Sequence, residues 1–81
     1  MPYINEDAKE SVRAIGPSTA GELNYAVTKL VTAYLTRKGL SYQTCNDIVG
    51  ALDNAKDEFR RRVQHPYEDG KIANNGDVYV V

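Results

Sequence analysis

The sequence predicts an all-α protein built around two long amphipathic helices. Apolar residues recur at helical spacing in two stretches, helix-capping residues stand at the ends of those stretches, and a very short connection at residues 39–40 joins them. A connection this short favours an antiparallel helical hairpin. We treat the 81 residues as a single small helical domain, which is near the lower size limit for burying its own core.

The N-terminal arm, residues 1–18, carries the weakest pattern. A short helix is predicted over Glu6–Ile15, because Ala8, Val12 and Ile15 follow one another at i, i+4 and i+7. A Gly-Pro pair comes next in the sequence and is expected to end that helix.

The first long helix is predicted over residues 19–39. Thr19 begins it and Glu22 stands three positions on, which is the signature of a capping box. Gly39 supplies the C-terminal cap. The apolar stripe of this helix consists of Leu23, Ala26, Val27, Leu30, Val31 and Tyr34.

The second long helix is predicted over residues 41–65, with Ser41 as its N-cap. Because His65 precedes a proline, the helix is expected to end or kink there. Cys45 falls on the apolar stripe and is expected to be a small buried hydrophobe. The stripe consists of Cys45, Ile48, Val49, Leu52, Ala55, Phe59 and Val63.

Gly50 lies in the middle of the second helix, where it costs about 1 kcal/mol relative to alanine. Two interpretations stay open. The glycine is a tolerated weakness, or it allows another helix to approach closely, which the neighbouring alanines favour.

The C-terminal segment, residues 66–81, is predicted to be a turn followed by an extended tail. Pro66 is compatible with the first position of one further helical turn. The sequence "NNGD" has turn chemistry and "VYVV" favours extended structure. Four such residues cannot form a sheet alone, so we expect the tail to pack on the helices or on a second copy.

Composition excludes several classes of protein. Ten basic residues against eleven acidic ones exert no net attraction toward nucleic acid or an anionic membrane. One cysteine and one histidine exclude an internal disulfide and argue against a cysteine/histidine zinc site. Apolar runs stay far below the roughly 20 residues that cross a bilayer, the N-terminus does not resemble a signal peptide, and a lone cysteine fits a reducing compartment. We expect a cytoplasmic protein.

Catalytic signatures are absent from the sequence. One histidine and one cysteine cannot supply a nucleophile, a base and an orienting partner, and no glycine-rich phosphate loop occurs. His65 is expected to be a capping or surface residue, and the Asp53 and Asp57 pair to be an ordinary solvated helix face. We therefore expect a non-enzymatic protein without cofactor or metal.

The run Arg60–Arg62 is the densest charge in the chain and has two interpretations. Asp57 with Arg61 and Glu58 with Arg62 are acid-before-base pairs at i, i+4, which are typical of a solvated helix face. Alternatively, the guanidinium groups clamp a phosphate or another anion.

Tyrosine is overrepresented, with six copies beside one phenylalanine and no tryptophan. A small hairpin cannot bury all six, so some are expected to face a partner or ligand. The predicted ligand-binding residues are Arg60, Arg61, Arg62, Lys29, Tyr25, Tyr42 and Tyr67. The predicted oligomer interface consists of Leu30, Tyr34, Leu52, Phe59, Val78 and Tyr79.

A second polar group occurs where the second helix starts. Tyr42, Gln43, Asn46 and Asp47 are ordinary residues for a first helical turn. They also offer amides and a carboxylate that could bind the edge of a base or a backbone.

The stretches "GELNYAVTKL", "GLSYQTCNDIVGAL" and "PYEDGKIANNGDVY" resemble a family of small proteins of unknown function from bacteriophage genomes. The resemblance spans nearly the whole chain, and residues 21–79 carry its distinctive part. Cys45 stands where an aliphatic residue is expected. The resemblance implies a phage-type accessory protein with a helical fold, and it implies no activity.

Phage accessory proteins of this size often act by stoichiometric binding. We therefore expect a homo-oligomer that sequesters an anionic small ligand, such as a nucleotide signal, in evasion of host defence. The alternative is an inhibitor or adaptor that recognises a host protein through its C-terminal tail. Nucleic-acid binding and membrane association are disfavoured by the balanced charge.

Overall fold

The computed structural model describes residues 2–79, and its regular secondary structure is entirely helical within that range. This confirms the predicted all-α fold class. The elements are α1 (Glu6–Ala14), α2 (Ala20–Lys38), α3 (Tyr42–Phe59), a π-helical turn (Arg60–Gln64) and α4 (His65–Asn75).

Side-chain caps begin the first two helices. The Asn5 side chain accepts a hydrogen bond of 2.8 Å from the Ala8 N–H at the start of α1. Thr19 Oγ1 accepts one of 3.1 Å from the Glu22 N–H at the start of α2, which confirms the predicted N-cap. The second half of the capping box is displaced by one residue, because the Glu22 carboxylate accepts from the Ser18 N–H and hydroxyl instead.

The turn between α2 and α3 also follows the sequence-based prediction. Gly39 has a φ of 83° and donates its N–H to the Leu35 carbonyl at 2.7 Å, as expected of a C-terminal cap. Ser41 Oγ then accepts a hydrogen bond of 3.1 Å from the Thr44 N–H and so caps α3. These local interactions set the ends of both long helices.

The second long helix does not end at His65, so that alternative is wrong, whereas the alternative of a kink stays a prediction. Helical structure continues through Pro66 as far as Asn75. Proline lacks an N–H, and in a regular α-helix its ring collides with the carbonyl four residues back. The π-helical turn, in which the His65 N–H donates to the Arg60 carbonyl, widens the helix just before the proline and relieves this collision.

The predicted C-terminal turn and extended tail are therefore shorter than expected. Gly76 has a φ of 91° and donates its N–H to the Ile72 carbonyl, so the Asn-Asn-Gly stretch caps α4 rather than redirecting an extended chain. Beyond it, the Tyr79 N–H donates to Asp77 Oδ1 at 2.9 Å. Val80 and Val81, the end of the predicted tail, lie outside the described residues.

The chain divides into two compact units, Met1–Ile48 and Val49–Val81. Within the first unit, α1 packs against α2, and the side chains of Glu22 and Thr44 are buried. In the second unit, all residues from Ala51 to Tyr79 are exposed. No apolar side chain between residues 2 and 79 is buried.

The expected burial of Cys45 is consequently wrong, because the cysteine is exposed. An amphipathic stripe becomes buried only where a second surface covers it. The same holds for Leu23, Leu30 and Phe59, which are also exposed.

Candidate functional site

A polar cluster joins the end of α2 to the start of α3. The Tyr34 hydroxyl donates to Asp47 Oδ2 at 2.8 Å, and Gln43 Nε2 donates to Asp47 Oδ1 at 2.7 Å. Both carboxylate oxygens are thus engaged within the chain. Asp47 therefore has a structural role, whereas Tyr42 stays exposed at the helix start.

These hydrogen bonds change the acidity of both partners. Hydrogen bonds from Tyr34 and Gln43 hold the pKa of the Asp47 carboxyl below its ordinary value. The bond to Asp47 raises the pKa of the Tyr34 hydroxyl above its ordinary value. The cluster is therefore most favourable when Asp47 is ionised and Tyr34 is neutral.

The arginine run lies in the π-helical turn. Arg61 Nη2 donates to both carboxylate oxygens of Glu58, at 2.7 and 3.0 Å, and Arg62 Nη1 lies 3.9 Å from the same carboxylate. The predicted pair of Asp57 with Arg61 does not form, because Arg61 takes Glu58 one residue closer. Arg60 forms no ion pair with any residue in the 2–79 range, so the Glu58 carboxylate pairs with two of the three guanidinium groups.

Lys29 lies in a shallow hollow of about 540 Å³ on one face of α2. The other lining residues are Thr32, Ala33, Thr36 and Arg37. Neither Lys29 nor Arg37 is paired with a carboxylate within the described part of the chain. This face of α2 is therefore cationic.

A second hollow, which we call the N-terminal hollow, occupies about 320 Å³ where the N-terminal arm, α1 and α2 meet. Lys9 Nζ lies 5.9 Å from the centroid of the Tyr25 ring, which is within the range of a cation–π interaction. The lining residues are Pro2, Tyr3, Ile4, Lys9, Tyr25 and Thr28.

A third hollow, which we call the C-terminal hollow, occupies about 600 Å³ along α4 and the residues after it. Here Lys71 Nζ lies 5.5 Å from the centroid of the Tyr67 ring. Three carboxylates also line it, those of Glu68, Asp69 and Asp77. The remaining lining residues are His65, Ile72, Asn75, Gly76, Val78 and Tyr79.

The predicted ligand-binding residues are spread over several places. Tyr25 and Lys29 stand about one turn apart on α2 but line different hollows. Tyr67 lines the C-terminal hollow, and no arginine of the run lines it. The sequence-based prediction missed Tyr3 and Lys9, because they share a hollow with Tyr25, which is far away in the chain, and no local pattern indicates that proximity.

The predicted interface residues are accessible to a partner. The side chains of Leu30 and Phe59 are 73% and 58% exposed, and those of Leu52, Val78 and Tyr79 are exposed as well. Tyr34 is only partly exposed and uses its hydroxyl within its own chain.

Metal binding and membrane crossing would each require a particular feature of the structure. Between residues 2 and 79, no three His, Cys, Asp or Glu side chains come together in a way that could hold a metal ion. Within the same range, none of the helices combines the length and the apolar character that a membrane crossing demands.

The molecule is thus a small all-helical protein whose exposed surface combines apolar stripes, clustered arginines and tyrosine-lined hollows. The chain belongs to the family described as Domain of unknown function (DUF6899), whose model matches residues 1–78. No curated protein and no solved structure matches the chain.

Proposed function

We propose that this protein is a non-enzymatic, homo-oligomeric binding protein. One observation carries the proposal: no apolar side chain is buried between residues 2 and 79, although two helices carry regular apolar stripes. Removing apolar surface from water is the main favourable term in folding and association. A second copy presents the same stripes and can cover them through a symmetric interface.

The proposed assembly unit is an antiparallel hairpin of α2 and α3, two of which form a four-helix bundle. Charge supports this pairing. Helix α2 carries three cations and one acid, whereas α3 carries four acids and one cation. Helices of opposite net charge attract one another and disfavour pairing of like with like.

The proposed ligand is a small anion, such as a nucleotide signal, held at the arginine run. All three arginines fall in a π-helical turn, a feature that occurs frequently at functional sites. Glu58 neutralises part of their charge, but three guanidinium groups share that one nearby acid and Arg60 has no ion pair within residues 2–79, so the run keeps a positive charge that can bind phosphate oxygens. The sequence-based prediction that Lys29, Tyr25, Tyr42 and Tyr67 also bind ligand stays a prediction, and the arginine site proposed here does not depend on it.

The resemblance to bacteriophage proteins extends this proposal to a biological setting. A phage-type protein of this kind would act in the cytoplasm of the host cell. There it would sequester the nucleotide signal and so serve evasion of host defence.

A second candidate function is that of an inhibitor or adaptor that captures a host protein through its C-terminal end. It is favoured by the side chains of Val78 and Tyr79, which are 90% and 80% exposed. Exposed aromatic and aliphatic side chains are frequent anchors in protein interfaces.

Analytical ultracentrifugation with a matched pair of variants tests the assembly. Phe59→Asp places a charge on the exposed apolar stripe, whereas Asn54→Asp adds the same charge at an exposed polar position. Burying a phenylalanine contributes roughly 1.5–3 kcal/mol, so Phe59→Asp is expected to weaken association by about tenfold or more. A monomeric wild-type protein at micromolar concentration would defeat the proposal.

Calorimetry against a panel of nucleotides tests the ligand. Arg62→Ala is expected to weaken binding, whereas Arg13→Ala, which removes an arginine from an exposed ion pair on α1, is expected to leave it unchanged. The absence of heat with every nucleotide counts against the anion site.

Deletion of residues 77–81 tests the second candidate function. If that function is correct, the shortened protein still forms the oligomer but no longer captures a host protein.

A further inference from the structure

The N-terminal hollow has the construction of a ligand site and is not explained by the arginine run. Three separate segments form it: the arm before α1, α1 itself through Lys9, and α2 through Tyr25 and Thr28. Its volume of about 320 Å³ falls at the lower end of the range of small-molecule pockets. The segments belong to one unit of the chain, so the hollow exists without an assembly.

Two tyrosines give the hollow its aromatic character. The side chain of Tyr3 is 83% exposed, so its ring is accessible to a ligand. Tyr25 is half-buried, and its hydroxyl forms no hydrogen bond with the residues in the described range. Flat aromatic ligands stack on tyrosine rings irrespective of their exact substitution.

Lys9 gives the hollow a positive charge, since it is the single charged residue in the lining. Its ammonium group lies 5.9 Å from the centroid of the Tyr25 ring and 3.1 Å from Glu6 Oε1. The Glu6 side chain is 85% exposed, and ion pairs with so exposed a partner are weak. An anionic ligand can therefore replace Glu6 as the ion-pair partner of Lys9 at a small cost in free energy.

The C-terminal hollow repeats the lysine–tyrosine pair but has the opposite charge balance. Lys71 and Tyr67 correspond to Lys9 and Tyr25, yet three carboxylates line the same cavity. Like charges repel an anion there. Charge thus distinguishes two otherwise similar tyrosine-lined hollows.

We propose that the N-terminal hollow binds a small planar aromatic anion. The ring stacks against Tyr3 and Tyr25, and the anionic group pairs with Lys9 Nζ. This site is additional to the arginine run and requires one chain only.

The test uses the full-length protein and three probes: adenosine monophosphate, 4-hydroxybenzoate and uncharged adenosine. NMR titration is expected to shift the signals of residues 2–4, Lys9, Tyr25 and Thr28 with the anionic probes. Calorimetry is expected to show weaker binding of adenosine, because it lacks the anionic group. Binding of the monophosphate alone would assign the site to nucleotides, and binding of both anions would assign it to aromatic anions in general.

Matched variants locate the contact. Lys9→Met is expected to weaken binding by about tenfold, whereas Lys71→Met removes the lysine of the other lysine–tyrosine pair and is expected to leave binding unchanged. Tyr25→Phe keeps the ring and is expected to retain more affinity than Tyr25→Leu. Circular dichroism confirms that each variant is folded.

Two results would overturn the proposal: no binding of either anion, or equal affinities of Lys9→Met and wild type. Arg62→Ala separates it from the proposed function. That variant is expected to leave the signals of the N-terminal hollow and the affinity measured there unchanged. Failure at this hollow would not affect the arginine site, and the reverse also holds.

Discussion

The two units of the chain differ in how they use the same kinds of residues. In the first unit, the side chains of Asn5, Thr19 and Ser41 cap helices. Glu22 accepts a hydrogen bond from the Ser18 N–H before α2, and Asp47 on α3 accepts one from the Tyr34 hydroxyl on α2. In the second unit, every described residue from Ala51 onward is exposed, and its ion pairs join residues three or four positions apart.

The two units therefore obtain their stability from different kinds of interaction. The first unit has interactions between separate elements, so part of its stability arises within one chain. The second unit has helix-local interactions only, within the described residues, and such pairs contribute a few tenths of a kcal/mol each. Most of the stability of a helix in a protein comes from the packing of its amphipathic face, and the assembly that we propose would supply such packing to this unit.

Pro66→Ala acts on the second unit and has the largest expected effect. Proline in a helix interior costs about 3 kcal/mol relative to alanine, so the variant is expected to gain up to that amount. The π-helical turn is expected to become regular α-helix, which NMR carbon shifts and urea unfolding would show. Pro17→Ala, outside the helices, serves as control, and a π turn that persists without Pro66 would contradict our explanation of it.

Thr19→Ala acts on the first unit. It removes the acceptor of the Glu22 N–H and is expected to cost about 1 kcal/mol in the free energy of unfolding. Thr19→Ser keeps a hydroxyl at the cap and should retain most of the stability in urea unfolding. Equal losses in both variants would show that the hydroxyl is not what matters.

Gly50→Ala tests the second unit and separates the two interpretations of this glycine. A Cβ at this position meets no atom within 4 Å in the chain, so alanine is expected to stabilise the helix by about 0.8–1 kcal/mol. Ala51→Gly is the reverse control. If another helix approaches Gly50 in the assembly, sedimentation will instead show weaker association of the alanine variant.

The pH dependence of the Tyr34–Asp47 pair is the smallest expected effect. In the folded state the pKa of Asp47 lies below its ordinary value of 3.8. The ionised carboxylate therefore stabilises the fold fully above pH 3.8, and this stabilisation is lost as the pH falls through the pKa of the folded state. The stability of the wild type, measured by thermal unfolding from pH 7 to pH 2, is expected to include this loss at low pH. The stability of Asp47→Asn is expected to lack it. Asp53→Asn, whose carboxylate lies 3.8 Å from Lys56, is the control.

The raised pKa of the Tyr34 hydroxyl sets the upper end of the pH range in which this pair stabilises the fold. Its contribution is complete below the ordinary value of 10.0 and is lost as pH rises through the folded-state value. A pair that kept its full stabilisation at pH 2 would show that the ionised carboxylate is not needed.

Much of the fold could be predicted because helix ends are encoded within three or four residues. Thr19 and Ser41 were recognisable as caps, as was Gly39 at the end of α2. The continuation of the helix past Pro66 was not recognisable. It depends on a change of helical pitch that compensates for the proline, and no residue type specifies that change by itself.

The candidate site was less predictable than the fold. The sequence showed that tyrosine is abundant and that arginine is clustered, but Lys9 and Tyr3 were not singled out. Their position beside Tyr25 depends on the path of the arm across α2. Likewise, nothing near Asp47 in the sequence indicates that Tyr34 donates to it.

The sequence alone thus determined the all-helical class, the starts of α2 and α3 and the amphipathic stripes, because capping and periodicity act through neighbours along the chain. Only the tertiary structure decided that Tyr34 meets Asp47 and that the arm and α2 enclose a hollow. Such contacts depend on how the chain folds back on itself. The free energy that selects them comes from groups distant in sequence, which no local pattern records.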